Sequence, residues 1–437
     1  MVRVYQQKNL KYSNMANVVG AGVEPREAEG ESNLQAHNPN MDARNQIVAA
    51  RARCLHRCHA CSTCLLAVAC GALAWDAQTR RDAGPARPVL QNEWAPLPAR
   101  DAVLERIGFG SCAQQQFAQP FWDTIVALRQ DMFIYAGDTV YGDCRSERCS
   151  ELSAAFAELQ NKPSFVGAKA KLPMVVMWDD HDSGLNDGSA SNPYKYTAKK
   201  LFADFWGIDA MDQRRFRPGL YTSYIWGSAG KRVQVILLDT RWFRSSFLRC
   251  QACNGRYKPD TNATKTMLGE DQWLWLQERL HEVADVRLLV SSIQVIADGH
   301  NWEGWLMLPH ERKKLYSLLS KATGTTIICS GDRHVGGFYK SPLGIWEVTA
   351  SSLTHTQPVG FSGTCNSSQT CDEVDPRRLG PFVRVNNFAT VEIDWKLRVV
   401  TLALNRAANQ DGHVKPGDVG LAGERLQSYN VRIAGSG

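Results

Sequence analysis

The sequence predicts an α/β fold, because short apolar runs of strand length alternate with amphipathic stretches of helix length. The run Leu172–Met177 is typical of a buried strand, whereas Asn192–Ile208 has apolar residues three and four positions apart, as a helix does. The closing segment, NNFATVEIDWKLRVVTLALN, is typical of an antiparallel hairpin. Alternating strands and helices, followed by antiparallel strands, predict a layered α/β core.

The first half of the predicted domain alternates regularly. RIGFGSC is expected to be a strand, and AQPFWDTIVALRQ a helix with Pro120 in its first turn. DMFIYAGDTVYGD then predicts a strand and loop, ELSAAFAELQNKPSF a helix, and KLPMVVMWDDHD a strand. After the helix within Asn192–Ile208, YTSYIWGSAGKRVQVILLDTRWF predicts a hairpin that turns at Gly227–Gly230.

The second half continues the alternation. GEDQWLWLQERLHEV predicts an amphipathic helix with acidic residues in its first turn. VRLLVSSIQVI predicts a strand, PHERKKLYSLLSKA a helix, TTIICSGDRHVGGFY a strand and loop, and IWEVTASSLTH another strand. A long loop over residues 360–378 separates these from the closing hairpin.

Composition indicates an ordinary globular protein. The chain has 437 residues, of which 44% are hydrophobic and 22% are charged. Its net charge of +6 is spread along the chain, so no nucleic-acid-binding module is evident. Its longest apolar run is only about a dozen residues, so no transmembrane helix is evident, since one needs about 20 residues. The sequence leaves the oligomeric state open.

The N-terminal region predicts a leader segment. Residues 1–50 are polar and aperiodic, and we expect them to be disordered or to precede a start at Met41. Residues 51–75 run from arginines through an apolar stretch to small residues, which predicts a signal segment and a secreted or extracytoplasmic protein. The alternative is that the cysteines of this segment hold zinc or an iron–sulfur cluster. Those cysteines are Cys54, Cys58, Cys61 and Cys64.

These patterns predict the domain organisation. We expect a linker over residues 76–103, one folded domain over 104–410 and a C-terminal tail over 411–437. Close cysteine pairs predict short disulfides in an exported chain, although in a cytosolic protein they would be reduced thiols. The pairs are Cys144 with Cys149, Cys250 with Cys253, and Cys365 with Cys371. Sequons at Asn262 and Asn366 agree with export as a glycoprotein.

Four predicted strands end in polar clusters: GSC at Cys112, GDTVYGD at Asp138, WDDHD at Asp180 and SGDRH at Asp332. Singly, each cluster has an ordinary structural interpretation, such as a turn, a satisfied polar contact or a buried thiol. Ligands of α/β sheets bind beyond the carboxyl ends of the strands. We therefore expect the four clusters to form one site, with a divalent metal and a catalytic imidazole, or else a structural ion-pair cluster, at WDDHD.

Cys112, GDTVYGD, WDDHDSGLND and SGDRHVGG, with SSIQV and NNFATVEIDW, resemble the alkaline phosphatase D (PhoD-like) family of the calcineurin-like metallophosphoesterases. The resemblance runs from about Ile107 to Leu404. It implies two packed β-sheets flanked by helices, in a four-layer αββα sandwich. It also implies a metal-dependent hydrolase of phosphoric monoesters, diesters or both. A diesterase specific for lipid or cell-wall phosphodiesters and an inactive surface-binding relative are the alternatives.

The resemblance also implies two metal sites. The first would hold Fe3+ through a mixed set of ligands: Cys112, Asp138, Tyr141 and His334. The second would hold Ca2+, or else Mg2+ or Mn2+, through oxygen ligands: Asp138, Asp180 and Asp332. Asp180 replaces the Asn of classical phosphoesterases, and Asp332 and Gln294 each replace a His. These replacements favour a metal that prefers oxygen.

The resemblance further implies how the site works. A metal-bound hydroxide would attack phosphorus while His181 assists the leaving group. Arg333 would clamp a phosphate oxygen, unless it is only a surface charge. Further residues are expected to line the pocket or to orient the ligands: Asp179, Asn186, Gln294, His300 and His355.

Overall fold

Two β-sheets, of six and seven strands, form the centre of the computed structural model, which describes residues 94–251, 256–359, 373–408 and 421–434. The first sheet contains β1 (Arg106–Gly110), β2 (Met132–Ala136), β3 (Met174–Met177), β13 (Asn387–Asp394), β14 (Val399–Arg406) and β15 (Arg425–Arg432). The second contains β4 (Thr222–Trp226), β5 (Val233–Leu238), β8 (Val286–Ser291), β9 (Thr325–Ser330), β10 (Gly336–Lys340), β11 (Trp346–Ala350) and β12 (Arg378–Val383). A separate ribbon pairs β6 (Leu248–Arg249) with β7 (Tyr257–Lys258).

The helices connect these strands. They are α1 (Phe121–Ala127), α2 (Ser150–Gln160), α3 (Pro163–Lys169), α4 (Lys195–Phe205), α5 (Gln213–Phe216), α6 (Gly269–Leu280) and α7 (Pro309–Leu319), and a short 3-10 helix spans Trp305–Met307. Among the described residues, none of these helices combines the length and the apolar character needed to cross a membrane.

The strand order is β15-β14-β13-β1-β2-β3 in the first sheet and β12-β10-β11-β9-β8-β5-β4 in the second. β1, β2 and β3 run parallel to one another, and so do β5, β8, β9 and β11. Antiparallel strands form one side of the first sheet (β13, β14 and β15) and both ends of the second (β10 and β12 at one end, β4 at the other). This topology agrees with the predicted sequence of parallel units closed by an antiparallel hairpin.

Side chains that alternate along the strands hold the layers together. In β2, Ile134 and Ala136 pack against apolar residues of the second sheet, including Val235 of β5. Phe133 and Tyr135, on the opposite face of β2, pack with residues of helices α1 to α4. The outer face of the second sheet packs in the same way on α6 and α7. The result is helix, sheet, sheet, helix, with the largest apolar cluster between the two sheets.

The carboxyl ends of the parallel strands lie side by side. Gly110 is in register with Tyr135, and Ala136 is in register with Met177. The two sheets also approach each other at this edge: a Cβ added at Gly331, after β9, would lie 2.5 Å from the Ser111 Oγ. The loops that follow β1, β2, β3 and β9 therefore converge, and each carries one of the four polar clusters.

Three strands of the two large sheets were not expected. β10 lies within a predicted loop, β12 begins at the last residue of the predicted loop over 360–378, and β15 lies within the predicted tail, where it pairs with β14. The GGFYK sequence of β10 starts with two glycines, which weaken a strand pattern. β15 has the polar composition of an edge strand, and its partner strand supplies much of its apolar contact. Part of the expected linker also packs on the folded domain, since Trp94 contacts Phe165 and Trp206.

One predicted cysteine pair is confirmed, since Cys144 and Cys149 form a disulfide. Cys253 and the Cys365/Cys371 pair lie outside the described residues, as do the predicted leader with its cysteines and the sequon at Asn366. Asn262, of the other sequon, is exposed, and its side chain accepts a hydrogen bond from the Thr264 N–H at 3.0 Å. Its exposure makes this position accessible to a modifying enzyme.

Candidate metal centre

Strained backbone marks the strand ends. Four non-glycine residues there have left-handed backbone conformations: Cys112 (φ 63°), Asp138 (φ 47°), Asp332 (φ 68°) and His334 (φ 51°). Such conformations cost about 1–3 kcal/mol each and persist where the surrounding structure requires them. All four are residues that the sequence pattern singled out. These left-handed conformations direct the four side chains toward one shared space beyond the strand ends.

The first group of side chains surrounds the Asp138 Oδ2. Tyr141 donates its hydroxyl to that oxygen at 3.2 Å and lies 3.1 Å from the His334 Nε2. The Cys112 Sγ is 3.6 Å from the same carboxylate oxygen. Cys112, Asp138 and His334 offer ligand atoms that all lie within 4.8 Å of one another. The structure therefore brings together the four residues expected at the first metal.

Two further side chains hold the His334 ring. The Gln357 amide lies 3.1 Å from the His334 Nδ1, and the His355 Nε2 lies 3.2 Å from the His334 Nε2. Burial lowers the pKa of His355 to about 3 and that of His334 well below its usual value. Both rings are therefore neutral near pH 7 and can offer a lone pair to a metal or to a water molecule.

The second group consists of carboxylates. Asp179, Asp180 and Asp332 offer oxygens within 4.8 Å of one another, and so do Asp138, Asp180 and His181. Asp180 thus connects both sets. Asp332 and Asp138 approach it from the two different sheets. The residues expected at the second metal, Asp138, Asp180 and Asp332, therefore also lie close together. Asp179 offers an oxygen within the same short distance, so its position suits a metal ligand as well as an orienting residue.

Arginines bind the outer side of this carboxylate cluster. Arg241 pairs with Asp179 through its Nε, and its Nη1 donates to Glu303 at 2.5 Å. Arg244 donates to the same Glu303 at 2.6 Å. All of these side chains are buried. Asp179 accepts a further hydrogen bond from the Ser292 hydroxyl at 2.5 Å through the same oxygen, Oδ1, so its Oδ2 points elsewhere.

Asp182 orders the backbone beneath the site. Its carboxylate accepts hydrogen bonds from the N–H groups of Thr139 (3.0 Å), Val140 (3.3 Å) and Asp179 (3.0 Å), as well as from the Thr139 hydroxyl. It therefore connects the loop after β2 to the loop after β3. Both carboxylate oxygens are engaged by these donors, which gives Asp182 a structural role.

The electrostatics of the cluster favour cations. Burial raises the pKa of Cys112, Asp138 and Tyr141 well above the usual values, and each is raised further by a neighbouring carboxylate. Burial and then Asp179 do the same for Asp332. Within the described structure, the buried Asp138 Oδ1 and Asp179 Oδ2 also have no hydrogen-bond partner. Buried unpaired anionic groups are costly, and bound metal ions would remove that cost, so the residues present fit a metal centre.

His181 lies beside the carboxylates and is held by Asp143, whose Oδ1 is 2.9 Å from the His181 Nδ1. Burial alone would lower the pKa of His181, but Asp180 and Asp143 outweigh burial and raise it well above its usual value. The Tyr141 ring packs on the imidazole, with centroids 4.2 Å apart. Because Nδ1 is occupied, Nε2 is the nitrogen available to a substrate.

Arg333 is not a surface charge. Its side chain is 10% exposed and donates to the buried Glu373 at 2.7 Å. The Arg333 Nε is buried without a hydrogen-bond partner in the described structure. Nearby, His300 is buried, and its Nδ1 accepts a hydrogen bond from the Trp302 N–H at 3.1 Å. The pKa of His300 is lowered by burial and then by the charge of Arg333, which keeps the ring neutral.

Two expected pocket residues contribute less. Gln294 is buried, but its amide nitrogen donates to the Thr349 hydroxyl at 2.8 Å, which turns that group toward the interior of the second sheet. Asn186 is exposed, and its side chain makes no hydrogen bond to any described residue. The carboxylate of the neighbouring Asp187 instead pairs with Arg256 at 2.6 Å.

Several residues of the site were not identified from the sequence. Asp143 belongs to the quoted GDTVYGD segment, so its proximity to His181 could have been considered. Arg241, Glu303 and Glu373 lie in no motif. Their ion-pair partners are far away along the sequence. Arg241, for example, is 62 residues from both Asp179 and Glu303. Only the folded chain reveals such pairs.

Comparison with known proteins agrees with this geometry. Residues 107–404 match the PhoD-like phosphatase family. Alkaline phosphatase D of Bacillus subtilis (strain 168) is 22% identical in an alignment of 341 residues, which covers 67% of this chain and 56% of that protein. The chain thus spans about half the length of the curated relative that it matches.

A solved structure shows the same fold. A structure of PhoD aligns with a TM-score of 0.57 and 16% identity, over 77% of this chain and 70% of that chain. A dimetal phosphatase from Danio rerio aligns with a TM-score of 0.40 and 12% identity, over 76% of this chain and 99% of that chain, which is too low for a detailed comparison. The predicted fold of two packed sheets flanked by helices is confirmed.

Proposed function

The chain belongs to the PhoD-like phosphatase family, and on that premise we propose that it hydrolyses phosphoric esters at a centre of two metal ions. The observation that carries this proposal is the convergence of Cys112, Asp138, Asp180 and Asp332 where the strand ends of the two sheets meet, with carboxylate oxygens that have no hydrogen-bond partner among the described residues. A purely structural ion-pair cluster would satisfy those oxygens with arginines.

We assign the first metal to Cys112, Asp138, Tyr141 and His334, and propose that it is Fe3+. Thiolate and phenolate ligands suit a trivalent iron because it stabilises anionic donors strongly. We assign the second to Asp138, Asp180 and Asp332, and propose Ca2+, with Mg2+ or Mn2+ as the other oxygen-preferring ions. The position of Asp179 beside Asp180 and Asp332 supports it as a further oxygen donor.

The metal ions, when bound, would supply Lewis-acid stabilisation of the phosphoryl group and a nucleophilic water. The protein supplies the rest. His181 would hold a proton on Nε2 and give it to the leaving oxygen, while Asp143 keeps the ring oriented through Nδ1. His355 would orient a polar group at the first metal through its neutral Nε2.

We further propose that Arg333 binds a phosphate oxygen. Its guanidinium is oriented by Glu373, and its Nε, which has no partner in the described part of the chain, leaves one donor for a ligand. An arginine fixed in this way loses little side-chain entropy when it binds an anion. His300 is proposed to line the same side of the pocket, since the charge of Arg333 acts on its ring.

We also propose that the protein is exported. The Cys144–Cys149 disulfide and the exposed Asn262 of a sequon support an oxidising, glycosylating compartment, together with the predicted leader over residues 51–75. Expression with and without residues 51–75, followed by assay of the culture medium, tests this. Equal secretion of both forms would contradict it.

The proposed activity is tested by comparing hydrolysis of mono- and bis-nitrophenyl phosphate by the same preparation, with iron and calcium added or withheld. We expect hydrolysis of at least one substrate and its loss when both metals are removed. The ratio of the two rates assigns monoesterase or diesterase action. Tight metal binding without hydrolysis of either ester or of phospholipid would instead indicate an inactive binding relative.

A further inference from the structure

A basic cavity of about 280 Å³ lies away from the metal centre, between α4, α5 and the segment that follows α5. Its wall contains four cationic side chains: Lys199, Lys200, Arg215 and Arg217. Trp242 lines it as well. The volume is close to the lower limit of ordinary small-molecule sites, which start near 300 Å³.

The four cations of this cavity are only partly neutralised, because one carboxylate serves two of them. Asp204 pairs with both Lys200 (2.5 Å) and Arg215 (2.6 Å). Among the described residues, neither Lys199 nor Arg217 forms an ion pair with a carboxylate. Asp239 acts on both from farther away, but its oxygens are bound to backbone N–H groups, as at Leu220 (2.7 Å).

The two unpaired cations are held in place by neutral groups. Lys199 is 8% exposed, donates to the Arg217 carbonyl at 2.5 Å and lies 5.1 Å from the Trp242 ring centroid. The Arg217 guanidinium lies over the Tyr221 ring at 3.8 Å, and its Nε is buried without a hydrogen-bond partner among the described residues. Burial lowers the pKa of both side chains, as expected for charges that lack a counterion. A dianion would balance them.

Aromatic rings flank the cavity. Tyr196 and Phe216 line it and are 70% and 67% exposed, so both rings are accessible to a ligand from solvent. Tyr196 is fixed by an edge contact with Trp242, with centroids 4.9 Å apart. Such rings can stack on a planar group that enters with the anion.

We propose that this cavity is a second ligand site, which binds a ring-bearing organic phosphate. The phosphate, with a charge near −2, would contact Lys199, Lys200 and Arg217, and the ring would pack on Tyr196 or Phe216. This inference does not depend on the proposed hydrolysis, because the site shares no residue with the metal centre.

The test is calorimetric titration of the metal-loaded protein with phenylphosphonate, which is not hydrolysed, and with methylphosphonate and inorganic phosphate. The wild type should bind a second molecule of phenylphosphonate outside the metal centre, and should bind the other two there at least fivefold more weakly. Lys200→Glu should weaken this second event at least tenfold, since it replaces a charge-assisted hydrogen bond by repulsion. Phe216→Ser should weaken phenylphosphonate alone.

Both substituted side chains are largely exposed, so these variants should fold. Lys321→Glu, at an exposed lysine outside the cavity, is the control and should leave both binding events unchanged. The proposal is overturned by a single binding event in the wild type, by a second event that Lys200→Glu does not change, or by equal binding of phenylphosphonate and inorganic phosphate there. Each result is read from binding, so it stands whether or not the protein hydrolyses esters.

Discussion

Replacing Asp143 by Asn should slow the hydrolysis of alkyl phosphates while it changes that of nitrophenyl phosphate little. The Asp143 Oδ1 contacts the His181 Nδ1 at 2.9 Å, so its charge stabilises the protonated ring that donates to the leaving oxygen. The Asp143 side chain is 45% exposed, so solvent screens this interaction to about 1 kcal/mol. On the rate scale, that corresponds to a loss of about fivefold in kcat for an alkyl ester.

The assay compares kcat for an alkyl phosphate and for nitrophenyl phosphate at one pH. An alkoxide needs a proton to leave, whereas a nitrophenolate does not, so only the first rate depends on the acid. His181→Ala should lower the alkyl rate by about 10²–10⁴-fold. Asp123→Asn, at an exposed carboxylate on α1, is the matched control and should change neither rate. Equal losses for both esters in Asp143→Asn would refute the assigned role.

Three other perturbations test separate parts of the structure. Cys112→Ser should lose the first metal and any visible charge-transfer band, and an unchanged spectrum and metal content would show that the thiol is only structural. Burial raises the pKa of Glu347 from 4.5 to about 7, so the folded state binds the proton of this carboxyl more tightly than the unfolded state does. In urea titrations, the unfolding free energy of the wild type relative to Glu347→Gln should therefore fall by about 3 kcal/mol between pH 4.5 and 7, and a difference that does not change with pH would contradict this. Chelation should lower the melting temperature, because metal ions bind only the folded carboxylate cluster; an equal melting temperature with and without chelator would count against that cluster as a metal site.

The parts of the site that follow strands could be predicted from the sequence. Cys112, Asp138, Asp180 and Asp332 each come two or three residues after a strand, and parallel strands bring such positions to the same edge of their sheet. The hairpin of β13 and β14 was equally clear from its alternating pattern, and the structure confirms it. Local pattern and global fold agree at these points.

Other features depend on contacts that no local pattern records. Arg241 pairs with Asp179 and Glu303 from different loops, and the two pairs join residues 62 positions apart. The polar strand β15 takes its place in the first sheet because β14 offers a free edge, not because its own sequence favours a strand. Long-range pairing of this kind becomes visible only in the folded chain.

Elemental analysis of purified wild-type protein and of Asp138→Asn tests the central claim most directly. Asp138 lies in both groups of metal-compatible side chains, so its carboxylate is expected to bind both ions. We predict about two metal ions per wild-type chain, fewer than one in the variant, and loss of phosphatase activity with retention of the folded circular dichroism spectrum. Wild-type protein that is active without stoichiometric metal, or a variant with undiminished metal content, would contradict the account.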